Sequence, residues 1–197
     1  MTTSGRIELM APAGNFESMQ AALDNGCDSI YFGVEQLNMR ARATVNFILD
    51  DLPEIARRCN EKNVRTYLTL NTIIYDHDLS IVKTLLTKAK EAGITAVIAS
   101  DQAVIMTART VGMEVHISTQ LNVTNIETVK FYAMFADTIV LSRELSLRQV
   151  KKITDDIEKE QVKGPSGNLV EIEIFGHGAL CMAVSGKCYL SLHSHNS

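Results

Sequence analysis

The sequence predicts an α/β fold, a (β/α)8 TIM-like barrel that carries about seven strand units. Short apolar strands alternate with amphipathic helices at intervals of roughly thirty residues, which is the pattern of βαβ units on a parallel sheet. Polar residues follow each predicted strand, as they do at the carboxyl ends of barrel strands. The periodicity alone also fits an open doubly wound sheet, so that alternative stays open at this point.

Seven segments have the apolar composition of strands: Ile7–Pro12, Ser29–Val34, Arg65–Asn71, Ala96–Ser100, Glu114–Thr119, Thr138–Ser142 and Leu169–Phe175. Six segments between them are predicted as helices: Asn15–Asn25, Asp51–Lys62, Leu79–Ala92, Gln102–Val111, Thr124–Phe135 and Leu145–Glu160. The third helix shows the reasoning, because its apolar residues recur every three to four positions. Asp78 is placed to cap its start and Gly93 its end.

Length and composition indicate one folded domain over residues 1–197. The chain is 46% hydrophobic and 21% charged, as is ordinary for a globular protein with one sizeable core. A complete barrel has eight strand–helix units in about 250 residues, so we expect this barrel to be truncated. Because no apolar run is long enough to span a bilayer and the first residues lack a signal-peptide core, we expect a cytoplasmic protein with no membrane partner.

The charge balance excludes a general attraction for nucleic acid. The formal net charge is −4, so an RNA contact would need a local basic patch. The candidates for such a patch are Arg40, Arg42, Arg57, Arg58 and Arg65. Arginines on helix surfaces more often belong to plain solvated faces, which is the other interpretation of these five.

Four cysteines are too few and too scattered for a disulfide framework. Cys27 and Cys59 are predicted to be packed core thiols. Cys181 and Cys188 are separated by six residues in a glycine-rich loop after the last strand, where they suit either burial or metal ligation. Zinc and iron–sulfur centres usually take four protein ligands, so these two cysteines would supply half of either site.

Side chains at the strand ends are the candidate catalytic residues. We expect Arg143 and Glu144 to hold a carboxylate or phosphate, or else to pair with a neighbouring loop. Gln120 suits either a substrate contact or a buried structural hydrogen bond. Glu173 lies within a strand, where a carboxylate is costly unless it is paired, so a functional role is favoured. His177 precedes the cysteine loop and suits metal ligation, a hydrogen bond to a cluster sulfur, or proton transfer.

Other polar residues have plainer interpretations. His116 lies in the middle of a strand and is predicted to be a core histidine with its hydrogen bonds satisfied. Asp101, Asn122 and Ser142 follow strands and are predicted to cap the helices after them, with a substrate contact as the alternative.

The segment from Glu173 to Ser191 resembles the signature of the collagenase-like peptidases of family U32. The matching positions are Glu173, Phe175, Gly178–Cys181, Gly186, Cys188, Leu190 and Ser191. Upstream segments resemble the strand ends of the same family: Ala11–Gly14, Gly26–Gly33, Ser118–Asn122 and Leu141–Leu145. The resemblance covers nearly the whole chain and implies a barrel fold.

The resemblance also implies a cofactor and a reaction. Cys181 and Cys188, with two later cysteines, resemble the ligands of a 4Fe–4S cluster, with zinc as the alternative metal. The branch that this chain most resembles implies prephenate-dependent hydroxylation of a transfer-RNA uridine, so the implied partners are RNA and a small anionic substrate such as prephenate. The family name implies proteolysis of a peptide substrate instead. A non-catalytic subunit of a paired hydroxylation complex, and so a possible oligomer, is the third interpretation.

Peptidase motifs give no support to the second interpretation. The sequence contains no HExxH zinc motif, no nucleophile elbow and no histidine with an obvious orienting carboxylate. A paired set of cysteines without a nucleophile and a base favours the hydroxylase over the peptidase.

Overall fold

A computed structural model describes residues 7–34, 47–178 and 183–185 of this chain. Its strands are β1 (Met10–Pro12), β2 (Ser29–Phe32), β3 (Arg65–Leu70), β4 (Ala96–Ala99), β5 (Glu114–Ile117), β6 (Thr138–Val140) and β7 (Glu171–Glu173). Its helices are α1 (Phe16–Asp24), α2 (Leu52–Glu61), α3 (Leu79–Ala92), α4 (Gln102–Thr110), α5 (Ile126–Ala133) and α6 (Leu147–Glu160). The seven strands form one parallel sheet in chain order.

This architecture confirms the predicted α/β fold and its seven strand units, and it decides against a doubly wound sheet. A doubly wound sheet reverses its strand order at a switch point, whereas here each strand pairs with the next one along the chain. The predicted helices are all present. Helices α5 and α6 begin two residues later than predicted, because the side chains of Asn125 and Ser146 accept hydrogen bonds from the first turns of these helices.

The two faces of the sheet have different neighbours. One face packs under the helices and contributes Ile30, Phe32, Leu68, Val97, Ile117 and Ile139 to the main core. The opposite face carries a smaller apolar cluster built on Tyr67, Ala96 and Ile98. Side chains two strands apart meet on this second face, since the ring centroids of Tyr67 on β3 and His116 on β5 are 4.5 Å apart. The sheet is therefore curved into a half-barrel, with the second face on its inside.

Local sequence explains where the helices begin and end. Asn15 and Ser18 form a reciprocal capping box at the start of α1. Gly93 ends α3 in the left-handed conformation, with a φ of 88°, as predicted. Asp78 does not cap α3 through its side chain, because that carboxylate accepts a hydrogen bond from the Tyr75 amide at 3.0 Å instead. Over the described ranges, the helices are all too short or too polar to cross a bilayer.

Candidate functional site

The carboxyl end of β6 is joined to the loop that carries the two signature cysteines. Ser185, between Cys181 and Cys188 in sequence, is fully buried. Its backbone N–H donates to Oε1 of Glu144 at 2.7 Å, and its hydroxyl accepts from the backbone N–H of Arg143 at 3.3 Å. Arg143 and Glu144, which follow β6, therefore hold Ser185 at the carboxyl end of this strand.

The electrostatics of this junction favour an ionised Glu144. The Ser142 hydroxyl donates to Oε2 of Glu144, and this hydrogen bond is the main reason that the pKa of Glu144 falls to about 2. The Ser185 amide lowers the pKa of Glu144 further, while partial burial acts in the opposite direction. Ser142 was predicted to cap a helix. This prediction is wrong, because Ser146 caps α6 and the Ser142 hydroxyl donates to Glu144 instead.

The guanidinium of Arg143 is held by contacts on its Nε side. Its Nε donates to the Ser185 hydroxyl at 3.4 Å, and its Cζ lies 5.9 Å from the centre of the Phe175 ring. Within the described ranges, its two terminal nitrogens make no hydrogen bond or ion pair with the protein. An arginine positioned in this way can offer two parallel N–H donors to a carboxylate or a phosphate.

Gln120 lies on a single turn, Thr119–Leu121, that follows β5. Its side-chain oxygen accepts a hydrogen bond from the Ser118 hydroxyl at 2.7 Å. This half-buried bond resembles the structural hydrogen bond that was one of its two predicted roles, and within the described residues the amide NH2 group makes no hydrogen bond. The nearby Asn122 was predicted to cap a helix, which is wrong, since Asn125 caps α5.

The inside of the half-barrel holds a polar cluster on β5 and β7. Nε2 of His116 lies 3.3 Å from Oε1 of Glu114, and Nδ1 of His116 lies 3.9 Å from Oε2 of Glu173. Burial raises the pKa of Glu173, while His116 lowers it by a smaller amount. His116 was predicted to have its hydrogen bonds satisfied, which is wrong, because Nδ1 has no partner in the described part of the chain.

Of the remaining predicted site residues, His177 alone lies within the described residues. His177 has an exposed side chain in the segment after β7. Cys181 and Cys188 lie outside the described residues. Across the ranges 7–34, 47–178 and 183–185, no three His, Cys, Asp or Glu side chains are grouped so that they would hold a metal ion.

Two other sets of predicted residues have clear structural roles. Cys27 and Cys59 are buried thiols, as predicted. Arg57 and Arg58 both pair with Glu54, and Arg65 pairs with Glu8. These three arginines have carboxylate partners, which supports the interpretation that they belong to ordinary solvated surfaces. Arg40 and Arg42 lie outside the described residues.

Sequence reasoning missed the contacts of Ser185 with Arg143 and Glu144 and the aromatic contact of Phe175. The serine stands between two cysteines in a loop, but nothing in the sequence indicates that it meets residues more than forty positions earlier. Phe175 belongs to the matched signature, yet its spacing does not predict an arginine against its ring.

Comparison with known proteins places this geometry in a family. Peptidase family U32 matches residues 14–197. A protein of Porphyromonas gingivalis named "Collagenase" is 54% identical over 97% of this chain and 46% of its own length. The "tRNA hydroxylation protein P1" of Bacillus subtilis is 31% identical over 94% of this chain and 42% of its own length. The chain thus spans less than half the length of these relatives.

The fold comparison agrees with the sequence comparison. The solved structure titled "The Structure of the U32 Peptidase Mk0906" superposes with a TM-score of 0.63 at 14% identity, covering 88% of this chain and 70% of that one. At that identity the superposition supports the fold alone. The family match over residues 14–197 shows the family as well as the fold. This chain therefore belongs to peptidase family U32.

Proposed function

We propose that this chain belongs to an enzyme that hydroxylates a base in RNA, most specifically a uridine in transfer RNA, with prephenate as the oxygen donor. The observation that carries the proposal is the position of the Arg143 guanidinium. Its Nε donates to Ser185 and its Cζ lies by the Phe175 ring, while its terminal nitrogens are unpaired within the described residues. Prephenate is a small anion with carboxylate groups, and a guanidinium fork suits a carboxylate. The similarity to a protein named for transfer-RNA hydroxylation gives independent support.

The proposed cofactor is a 4Fe–4S cluster in the full-length protein, held in part by Cys181 and Cys188. When bound, such a cluster supplies one-electron chemistry. The contribution of the described residues is to position the loop: Glu144 and Arg143 anchor Ser185, which lies between the two cysteines in sequence. Two further ligands are needed, and His177 remains a candidate for a hydrogen bond or a ligand at this loop.

Proteolysis is the second candidate function, and the 54% identity to the protein named "Collagenase" favours it. A serine peptidase needs a base beside its nucleophile. The hydroxyl of Ser185 accepts from Arg143, and no histidine contacts it in the described part of the chain. This arrangement suits an anchor for the loop and gives no activated nucleophile at Ser185.

Nucleoside analysis separates the two functions. In a strain that lacks the gene, mass spectrometry of nucleosides from transfer RNA is expected to show loss of a hydroxylated uridine. Complementation with the full-length protein restores it, whereas Cys181→Ala and Cys188→Ala do not. Cys27→Ala is the matched control, because this buried thiol lies outside the loop, and it is expected to restore the nucleoside fully.

The absorption spectrum of the anaerobically purified protein tests the cofactor. We expect a brown protein whose iron content falls in the Cys181→Ala and Cys188→Ala variants and is unchanged in Arg143→Ala. The Arg143→Ala variant should still fail to restore the nucleoside. Unchanged nucleosides in the deletion strain, together with cleavage of denatured collagen by the purified protein, would establish the peptidase instead.

A further inference from the structure

Two unpartnered polar atoms face each other on the inner face of the half-barrel. They are Nδ1 of His116 and Oε2 of Glu173, which are 3.9 Å apart. Neither has a hydrogen-bond partner in the described part of the chain. The His116 side chain is only 5% exposed, so bulk water does not satisfy its ring. Because burying a polar atom without a hydrogen-bond partner destabilises the fold, this arrangement requires a physical reason.

The other ring nitrogen of His116 determines which atoms carry protons. Nε2 lies 3.3 Å from Oε1 of Glu114. The hydrogen bond with His116 is the main cause that lowers the pKa of Glu114, so Glu114 is a carboxylate that only accepts. Nε2 is therefore protonated. Nδ1 of His116 and Oε2 of Glu173 then face each other as two acceptors unless a proton lies on one of them.

We infer that Glu173 is held as a neutral carboxylic acid whose Oε2–H is directed at Nδ1 of His116. The proton is Glu173's own, taken up from water as the chain folds, and a small side-chain rotation brings the two atoms within hydrogen-bond distance. The carboxyl group then donates to His116, and His116 donates to Glu114. His116 is a positioning residue in this arrangement, since it acts by holding Glu173.

Among the residues that the structure describes, the charged groups that face this pair are consistent with a single neutral acid. From β3, the Tyr67 ring packs on His116 and Arg65 lies nearby. Glu8, which precedes β1, accepts from the Tyr67 hydroxyl at 2.8 Å and pairs with Arg65. Lys90 on α3 acts on Glu114. Arg65 is thus matched by Glu8, and none of these cations contacts Glu173.

A neutral Glu173 determines the charge that the carboxyl end of β7 presents. Glu173 ends β7 two residues before Phe175, the ring on which Arg143 packs. A neutral Glu173 leaves the positive charge of Arg143 uncompensated from that strand, and it offers a polar but uncharged carboxyl group to a bound molecule. An anionic ligand with an additional polar oxygen is the class that suits this pair.

Thermal unfolding of the full-length protein and of its Glu173→Gln variant, measured from pH 4 to pH 9, tests the inference. An acid with a raised folded pKa stabilises the fold at low pH, and this contribution is lost as pH rises through the folded pKa. Glutamine keeps a neutral donor at every pH. We therefore expect the variant and the wild type to melt alike near pH 4, and the variant to gain several degrees over the wild type as pH rises.

The matched control is Glu171→Gln, which makes the same charge change at an exposed position of the same strand. Its difference from the wild type is expected to stay constant above about pH 6, where an exposed carboxylate is fully ionised. A Glu173→Gln protein that loses stability relative to the wild type as pH rises would show that Glu173 is ionised in the fold, which overturns the inference.

Spectroscopy of the wild-type protein gives a second measurement that does not depend on how the variant folds. An infrared carbonyl band of a protonated carboxylic acid is expected at pH 7, together with a neutral Nε2–H tautomer for His116 in ¹⁵N NMR. An imidazolium signal for His116 without an acid band contradicts the inference. These readouts are independent of catalytic activity, so they stand apart from the proposed hydroxylation.

Discussion

A single carboxylate, Glu144, joins two parts of the chain that are far apart in sequence. One oxygen accepts from the Ser142 hydroxyl in its own turn, and the other accepts from the amide of Ser185 at 2.7 Å. Hydrogen bonds to a charged group are stronger than those between neutral groups. At the scale of one residue, the position of Ser185 therefore depends on the charge of Glu144.

Replacing Glu144 with alanine is expected to loosen this loop. Hydrogen exchange at the Ser185 amide, followed by mass spectrometry of the full-length protein, should accelerate about tenfold, or ~1.4 kcal/mol. The matched control is Glu158→Ala, which removes an exposed glutamate from α6 and should leave exchange at Ser185 unchanged. Equal exchange rates in the two variants would show that Glu144 does not hold the loop.

The same contact has a defined pH dependence. Because the pKa of Glu144 is lowered to about 2, its contribution is fully present above the ordinary carboxyl value of 4.5 and is lost as pH falls toward 2. The difference in melting temperature between wild type and Glu144→Ala should therefore shrink as pH falls from 5 to 2. A difference that stays constant over this range would contradict an ionised Glu144 in the fold.

At the scale of one element, the turn before β7 is built around Asp137. Oδ1 of Asp137 accepts from the amide of Ser166 at 3.0 Å and from its hydroxyl at 2.7 Å. Gly164 passes so close that a Cβ atom on it would lie 2.3 Å from the same Oδ1 and 2.8 Å from the Asp137 Cα. The turn accepts no side chain at position 164 without moving the backbone.

Gly164→Ala is accordingly expected to destabilise the protein by about 2 kcal/mol, in the range of overpacked sites. Urea unfolding of the full-length protein measures the change. Gly14→Ala is the control, because a Cβ atom at Gly14 meets no atom within 4 Å, and it should change stability by less than about 0.5 kcal/mol. Equal urea midpoints for the two variants would show that the turn accommodates a side chain at position 164 without loss of stability.

The sequence predicted these elements to different degrees. Apolar periodicity identified all seven strands and six helices, because burial sets that pattern along the chain. The starts of α5 and α6 were placed too early, since the capping side chains of Asn125 and Ser146 decide them. The strand ends correctly indicated where Arg143 and Glu144 lie. Their contact with Ser185 was beyond prediction, because a side-chain contact between distant segments leaves no periodic signal.

At the scale of the whole molecule, the buried thiol of Cys59 is a reporter of global unfolding. Its side chain is fully buried between α2 and the sheet, and burial raises its pKa to about 11. The thiolate is the form that reacts with alkylating reagents. In the folded protein the Cys59 sulfur is therefore neither accessible to a reagent nor in this reactive form. Cys27 is also buried, but its side chain keeps a small exposed fraction at the turn before β2.

Alkylation of Cys59 in the full-length protein should therefore follow the global unfolding transition in urea. Peptide mass spectrometry is expected to show labelling of Cys59 rising with the unfolded fraction, while Cys27 reacts earlier through local opening of its turn. Rapid alkylation of Cys59 at pH 8 without denaturant would show that the α2 contact opens independently of the rest of the fold.

The chain-order pairing of β1 to β7 has a consequence for synthesis on the ribosome. Within the described residues, each of β2 to β7 pairs with the strand made immediately before it, so these six strands each find that partner already translated. Domains fold during synthesis as their contacts become available. The described part of the half-barrel can thus grow one strand–helix unit at a time as the chain is made, and the contacts of Arg143 and Glu144 with Ser185 form only after residue 185 has been translated.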